Sequence, residues 1–152
     1  MTTTLVPHPH LTATTPALWW RITVAALSGI TALGAWYGTW YLTDERAARE
    51  LPTAAPDFLP GGWSFGGFAL LVLVAAPMTV ACLLAVTGHT GAAAAATIAG
   101  GLLVGWIVVQ VLLIGLVFWL QPAMFVLGAA VALLGLVELR RDLPSGGDTP
   151  AT

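Results

Sequence analysis

The side chains able to do chemistry in this chain are few, and the most informative of them are neutral. Gln110 and Gln121 lie in a stretch, Phe58 to Val137, that contains no Asp, Glu, Lys or Arg. An amide in apolar surroundings needs a hydrogen-bond partner, because an unpaired polar group there is costly. Gln110 therefore reads in two ways. It either bonds a neighbouring helix, with Thr79, Ser28 and Thr31 as candidate partners, or it lines a polar cavity or an oligomer interface and orients what binds there. Pro77, just before Thr79, removes one helical hydrogen bond and is expected to kink or loosen its helix, which in the second reading makes room for a ligand. Gln110, Thr79, Pro77 and Gln121 form the candidate polar site.

Catalysis has little else to use. A general acid or base must be an ionisable group within reach of substrate. The candidates are His89, set between Gly88 and Thr90 in a turn, and Glu138, which an i,i+3 spacing pairs with Arg141. His8 and His10 alone are too few ligands for a metal. Cys82 is the single cysteine, which excludes an intramolecular disulfide and a Cys-x-x-Cys centre. The expectation is no catalytic residue, no cofactor and no metal. With five Lys plus Arg against seven acids, the chain lacks a polybasic footprint, and nucleic acid is set aside as a partner.

What must position Gln110 follows from hydropathy. The chain is 58% hydrophobic and 8% charged over 152 residues, too apolar for a soluble domain and long enough for one membrane domain. The fold expected is all-α: four antiparallel transmembrane helices in a compact bundle, at about 17–42, 63–87, 91–120 and 122–140, within a domain 17–140. Thr43-Asp44-Glu45-Arg46, Thr87-Gly88-His89-Thr90-Gly91 and Gln121-Pro122 separate the segments. Residues 1–16, rich in Thr and Pro, and 141–152 read as flexible tails. Trp19, Trp20, Trp36, Tyr37, Trp40, Tyr41, Trp63 and Trp119 cluster near segment ends, where aromatic side chains anchor to the membrane interface. Arg21, Arg140 and Arg141 flank the side carrying both termini, against Arg46 and Arg49 opposite, which favours cytoplasmic termini in a multi-pass protein of the cell membrane.

Two further features are candidates for interaction. Gly101, Gly105 and Gly115 fall on one stripe of the third segment, and Gly34 with Gly38 repeats the small-xxx-small device on the first, so these five are the expected helix-packing glycines. Loop 43–62 carries Glu45 with Arg49 and Arg46 with Glu50 at i,i+4, then a proline- and glycine-rich run around Asp57 and Phe58. With Asp44, these residues form a candidate partner-docking loop outside the cytoplasm.

The run Gly105-Trp106-Ile107-Val108-Val109-Gln110, continuing to Trp119-Leu120-Gln121-Pro122, resembles uncharacterised small four-helix integral membrane proteins of high-GC bacteria. The resemblance covers roughly the third and fourth segments, about a third of the chain. It brings no activity and implies that Gln110 and Gln121-Pro122 belong to the scaffold. The layout also looks like small quinone-linked four-helix families, but their cysteines and charged signatures are missing here. The function expected is that of a non-catalytic accessory or assembly subunit, with the lipid bilayer and another membrane protein or a second copy as partners. The alternative is a small oligomeric transporter, channel or lipid-handling protein with a polar site near Gln110.

Overall fold

The computed structural model describes residues 17–44, 46, 62–116 and 119–141, and the regular structure among them is helical throughout. There are four long helices: α1, Leu18–Thr43; α2, Trp63–Thr87; α3, Ala92–Ile114; and α4, Leu120–Arg141. Each has 22 to 26 residues and is apolar enough to cross a membrane, whose hydrocarbon core of roughly 30 Å takes about twenty helical residues. The N-terminal tail, most of the C-terminal tail, and loop residues Glu45, Arg49, Glu50, Asp57 and Phe58 lie outside the described residues. Asp44 is the C-cap of α1, its N–H bonding Trp40 O, and its Oδ1 accepts the Arg46 N–H at 2.8 Å.

Pro77 does not interrupt α2. A proline cannot donate to the carbonyl one turn back, and its ring crowds that carbonyl. The helix answers by widening just before it. Leu71–Ala75 form a single π-turn, in which Ala76 N–H reaches back to Leu71 O. Thr79, the expected partner of Gln110, is engaged elsewhere: its Oγ1 donates to Ala75 O at 2.7 Å and accepts Trp36 Nε1–H of α1 at 3.2 Å. Ser28 and Thr31, the other candidates, bond Val24 O and Leu27 O within α1.

α2 ends on Gly88 at φ +70°, with Gly88 N–H on Ala85 O and His89 N–H on Leu84 O. This closure satisfies two of the carbonyls that a helix end leaves unpaired. Arg21 of α1 adds to it, Nε donating to Ala85 O at 3.0 Å and a terminal nitrogen to Val86 O at 2.6 Å. Gly88 is favoured there by its positive φ, and a Cβ added to it would stand 2.7 Å from the Arg21 guanidinium carbon and push that group aside. His89 Nδ1 accepts Gly91 N–H at 3.0 Å and serves the turn. Arg21→Gln removes the charged donor from the α2 terminus and is expected to lower unfolding stability in mild detergent by about 1 to 2 kcal/mol, with helix content unchanged by circular dichroism.

The core is built mainly from alanine and glycine. Ala81 and Ala85 of α2, Ala92, Ala93, Ala96 and Ala99 of α3, and Gly128 and Gly135 of α4 are all buried. Gly100 of α3 lies against Gly128 and Ala132, and Gly135 lies against Ala93 and Thr97, so positions rise along α3 as they fall along α4. Gly101 and Gly105, the glycines expected to pack, are exposed, and a Cβ on either would meet nothing within 4 Å. The helices of this chain meet at Gly100, Gly128 and Gly135 instead.

Trp20 departs from the interfacial role expected for it. It is 1% exposed, and its Nε1–H donates to Leu134 O of α4 at 2.9 Å, which ties α1 to α4. Its neighbour Trp19 is 56% exposed, as a one-residue rotation on a helix requires. α3 stops at Ile114, short of the Leu120 expected, because Gly115 takes φ +77° and ψ −177°, a conformation open to glycine almost alone. Gly115 is thus a helix terminus and not a packing residue. α4 begins at Leu120, with Pro122 in its first turn, where a missing N–H removes no helical bond. At the other end of α4, Glu138 is buried and paired with Arg141 at 3.2 Å.

Candidate functional site

One stripe of α1 changes character along its length. Trp20, Leu27, Thr31, Gly34 and Gly38 follow one another at helical spacing on one side. The bulky end, at Trp20, is filled by contact with α4. The other end offers two glycines, and between it and the facing helices lies a cavity of about 230 Å³.

Each helix contributes a few residues. α1 supplies Thr31, Gly34, Ala35, Gly38 and Leu42; α2 supplies Trp63, Leu70 and Val74. From α3 come Leu103, Trp106, Ile107, Gln110 and Ile114, repeating at intervals of three and four, and from α4 come Leu120, Gln121 and Met124. Small side chains on α1 and the early end of α3 at Gly115 explain why the space is not filled. The described lining is apolar except for Thr31, the two glutamines and the two indole N–H groups, and it carries no charged side chain.

The polar groups differ in how they are satisfied. Gln121 is buried, and its Nε2 donates to Gly115 O at 3.2 Å, which holds the α3 terminus against the first turn of α4. Thr31 Oγ1 is taken up by Leu27 O at 2.8 Å. Gln110, half-buried, has no hydrogen bond to any described residue. One turn before it on the same face, the Trp106 Nε1–H is buried without an acceptor. Leaving a buried N–H such as that of Trp106 unpaired costs about 1 to 3 kcal/mol.

The structure therefore brings Gln110, Gln121, Gly34 and Gly38 to one place and leaves Thr79 and Pro77 outside it, with Thr79 against Trp36 on the α1–α2 seam. Gly101, Gly105 and Gly115 are not among the lining residues, and Gly115 is joined to the lining through the bond its carbonyl accepts from Gln121. Sequence reading missed Trp106 and assigned Trp63 to the interface. The available signal was the i,i+4 spacing of Trp106 and Gln110, two hydrogen-bonding side chains on one face of an otherwise apolar helix. A second depression, on the outer side of α3 and α4 and bounded by Val108, Leu112, Leu116 and Phe125, offers no hydrogen-bonding side chain among its described residues. Among the described residues no group of His, Cys, Asp and Glu is placed to hold a metal.

Compared with protein-family models, with curated proteins and with solved structures, the chain matches none.

Proposed function

We propose that this chain is a non-catalytic, multi-pass protein of the cell membrane that binds a small, mostly apolar molecule in the cavity around Gln110. The observation that carries this reading is an amide lining an apolar cavity with no partner among the described residues. A structural glutamine in a membrane bundle is expected to bond a neighbouring helix. This one faces a space of ligand-binding character, apolar with a few convergent polar groups. The bundle is antiparallel and transmembrane in this reading, supported by four spans of sufficient length and by the opposed numbering of the α3–α4 contacts. The arginines at the end of α4 support cytoplasmic termini. The cavity, near the end of α1 and the start of α4, then lies in the outer half of the membrane.

Native mass spectrometry after gentle extraction tests the reading. Wild type is expected to leave the detergent micelle carrying one defined small molecule, and Gln110→Leu is expected to lose it. The same adducts on both proteins would contradict it.

A role as an accessory subunit is the second reading, favoured by the exposure of Gly101 and Gly105, which leaves that face of α3 open to a helix from another protein or a second copy. It predicts that Gly101→Leu with Gly105→Leu dissociates a complex recovered from the membrane. An intact complex would count against it.

A further inference from the structure

We infer that the cavity takes the uncharged head of a bilayer amphiphile, an alcohol- or carbonyl-bearing lipid, which enters sideways between α1 and α4 and leaves its tail in the membrane. This rests on the proposed binding function and adds the class of ligand and its route.

Charge and size fix the class. The described lining holds no ionised side chain, so a phosphate, carboxylate or ammonium head would be buried without a counter-charge, which is strongly unfavourable. Gln110 offers both a donor and an acceptor, and so accommodates a hydroxyl or a carbonyl. The Trp106 indole, which can only donate, borders the same cavity one turn from Gln110, and its buried N–H is without an acceptor among the described residues. A volume of about 230 Å³ is below the roughly 300 Å³ at which pockets for whole drug-sized molecules begin. It suits a head group and the first few carbons of a chain, so the rest of the molecule has to lie outside.

The route follows from where the helices are joined. Trp20 and Leu134 bond α1 to α4 at one end. Gly34 lies as many residues beyond Trp20 as Leu120 lies before Leu134, so antiparallel helices place Gly34 opposite Leu120. Both border the cavity and both are exposed: a Cβ on Gly34 would meet nothing within 4 Å, and Leu120 is 45% exposed. Two of the other seams beside the cavity are closed. A Cβ on Gly67 of α2 would touch Leu42 and Thr43 of α1, and Gln121 bonds Gly115 between α3 and α4. The gap at Gly34 and Leu120 therefore faces the hydrocarbon, where the tail of an amphiphile already resides.

The test uses the full chain in lipid nanodiscs with two photoreactive probes. One is a long-chain alcohol with a diazirine close to its hydroxyl, and the other is the same chain ending in a trimethylammonium group. The alcohol is expected to cross-link residues around Gln110 and the ammonium probe is not. Gly34→Trp and Leu120→Trp, which place bulk on opposite sides of the gap, are each expected to lower labelling at Gln110 by roughly tenfold, with labelling of outward-facing Leu112 unchanged. Because the two substitutions sit on different helices, a folding defect in one, seen as altered Leu112 labelling, leaves the other to decide. Undiminished labelling at Gln110 in both variants would overturn entry between α1 and α4 while leaving the binding reading intact. Equal labelling by the ammonium probe would overturn the uncharged head. Wild type labelled only at outer positions such as Leu112 would overturn the binding reading itself.

Discussion

Gly100→Ala is expected to destabilise the protein by about 3 kcal/mol or more, while Gly101→Ala, one residue along the same helix, leaves it as stable or slightly more so. A Cβ on Gly100 would fall 2.5 Å from Gly128 O and closer still to Ala132 N. These are backbone atoms of α4, held by its own helical bonds, and cannot rotate away as a side-chain end would. The two helices would have to separate, and their alanine- and glycine-lined contact offers no long side chains to fill the gap. Gly135→Ala should behave alike, since its Cβ would lie 2.6 Å from Ala93 O and Thr97 N. At Gly101 an added methyl meets open space, and replacing glycine by alanine within a helix gains about 1 kcal/mol of propensity. Unfolding by SDS titration from mild detergent measures the contrast. Equal losses at positions 100 and 101 would mean that α3 is rotated relative to α4 from the placement described.

Trp20→Ala is the second large effect, expected at about 3 kcal/mol, the low end for truncating a buried aromatic. The low end applies because in a membrane little of the loss is transfer from water, and what disappears is packing and one hydrogen bond. Trp20→Phe keeps most of the volume and removes only the donor to Leu134 O, so about 1 kcal/mol is expected from it. Trp19→Ala, at an exposed position, is expected to change little. If Trp19 and Trp20 prove equally tolerant, the anchor between α1 and α4 is not at Trp20.

The four spans were legible because charge is excluded from so much of the chain, and that signal does not depend on how the helices pack. Their rotation about their own axes was not legible. Gly101 and Gly105 form a visible small-xxx-small pair, yet the glycine that meets α4 is Gly100, chosen by where Gly128 and Gly135 fall on the opposing helix. Trp19 and Trp20 look equivalent in a segment-end cluster, and only the placement of α4 separates them. The end of α3 depended on the backbone angles of Gly115, and a glycine in an apolar run does not announce whether it bends, caps or packs. Glu138 with Arg141 was readable because the i,i+3 relation is local. Gln110 was recognised as the residue to explain, but its two readings differ by what lies across from it, which required the positions of all four helices. Trp106 escaped because its polar atom is one nitrogen on a large apolar ring.

The role of Gln110 is tested most directly by the stability of Gln110→Leu measured twice, once in pure detergent and once with lipid extracted from the native membrane. An amide that has no partner among the described residues adds no hydrogen bond to the fold, so in pure detergent the variant should match or exceed wild type to within about 1 kcal/mol. Native lipid should then raise the unfolding midpoint of wild type and not of the variant, because only wild type gains from binding. A variant that loses about 1 to 2 kcal/mol in pure detergent and responds to native lipid as wild type does would contradict the account, and would make Gln110 a structural hydrogen bond between helices.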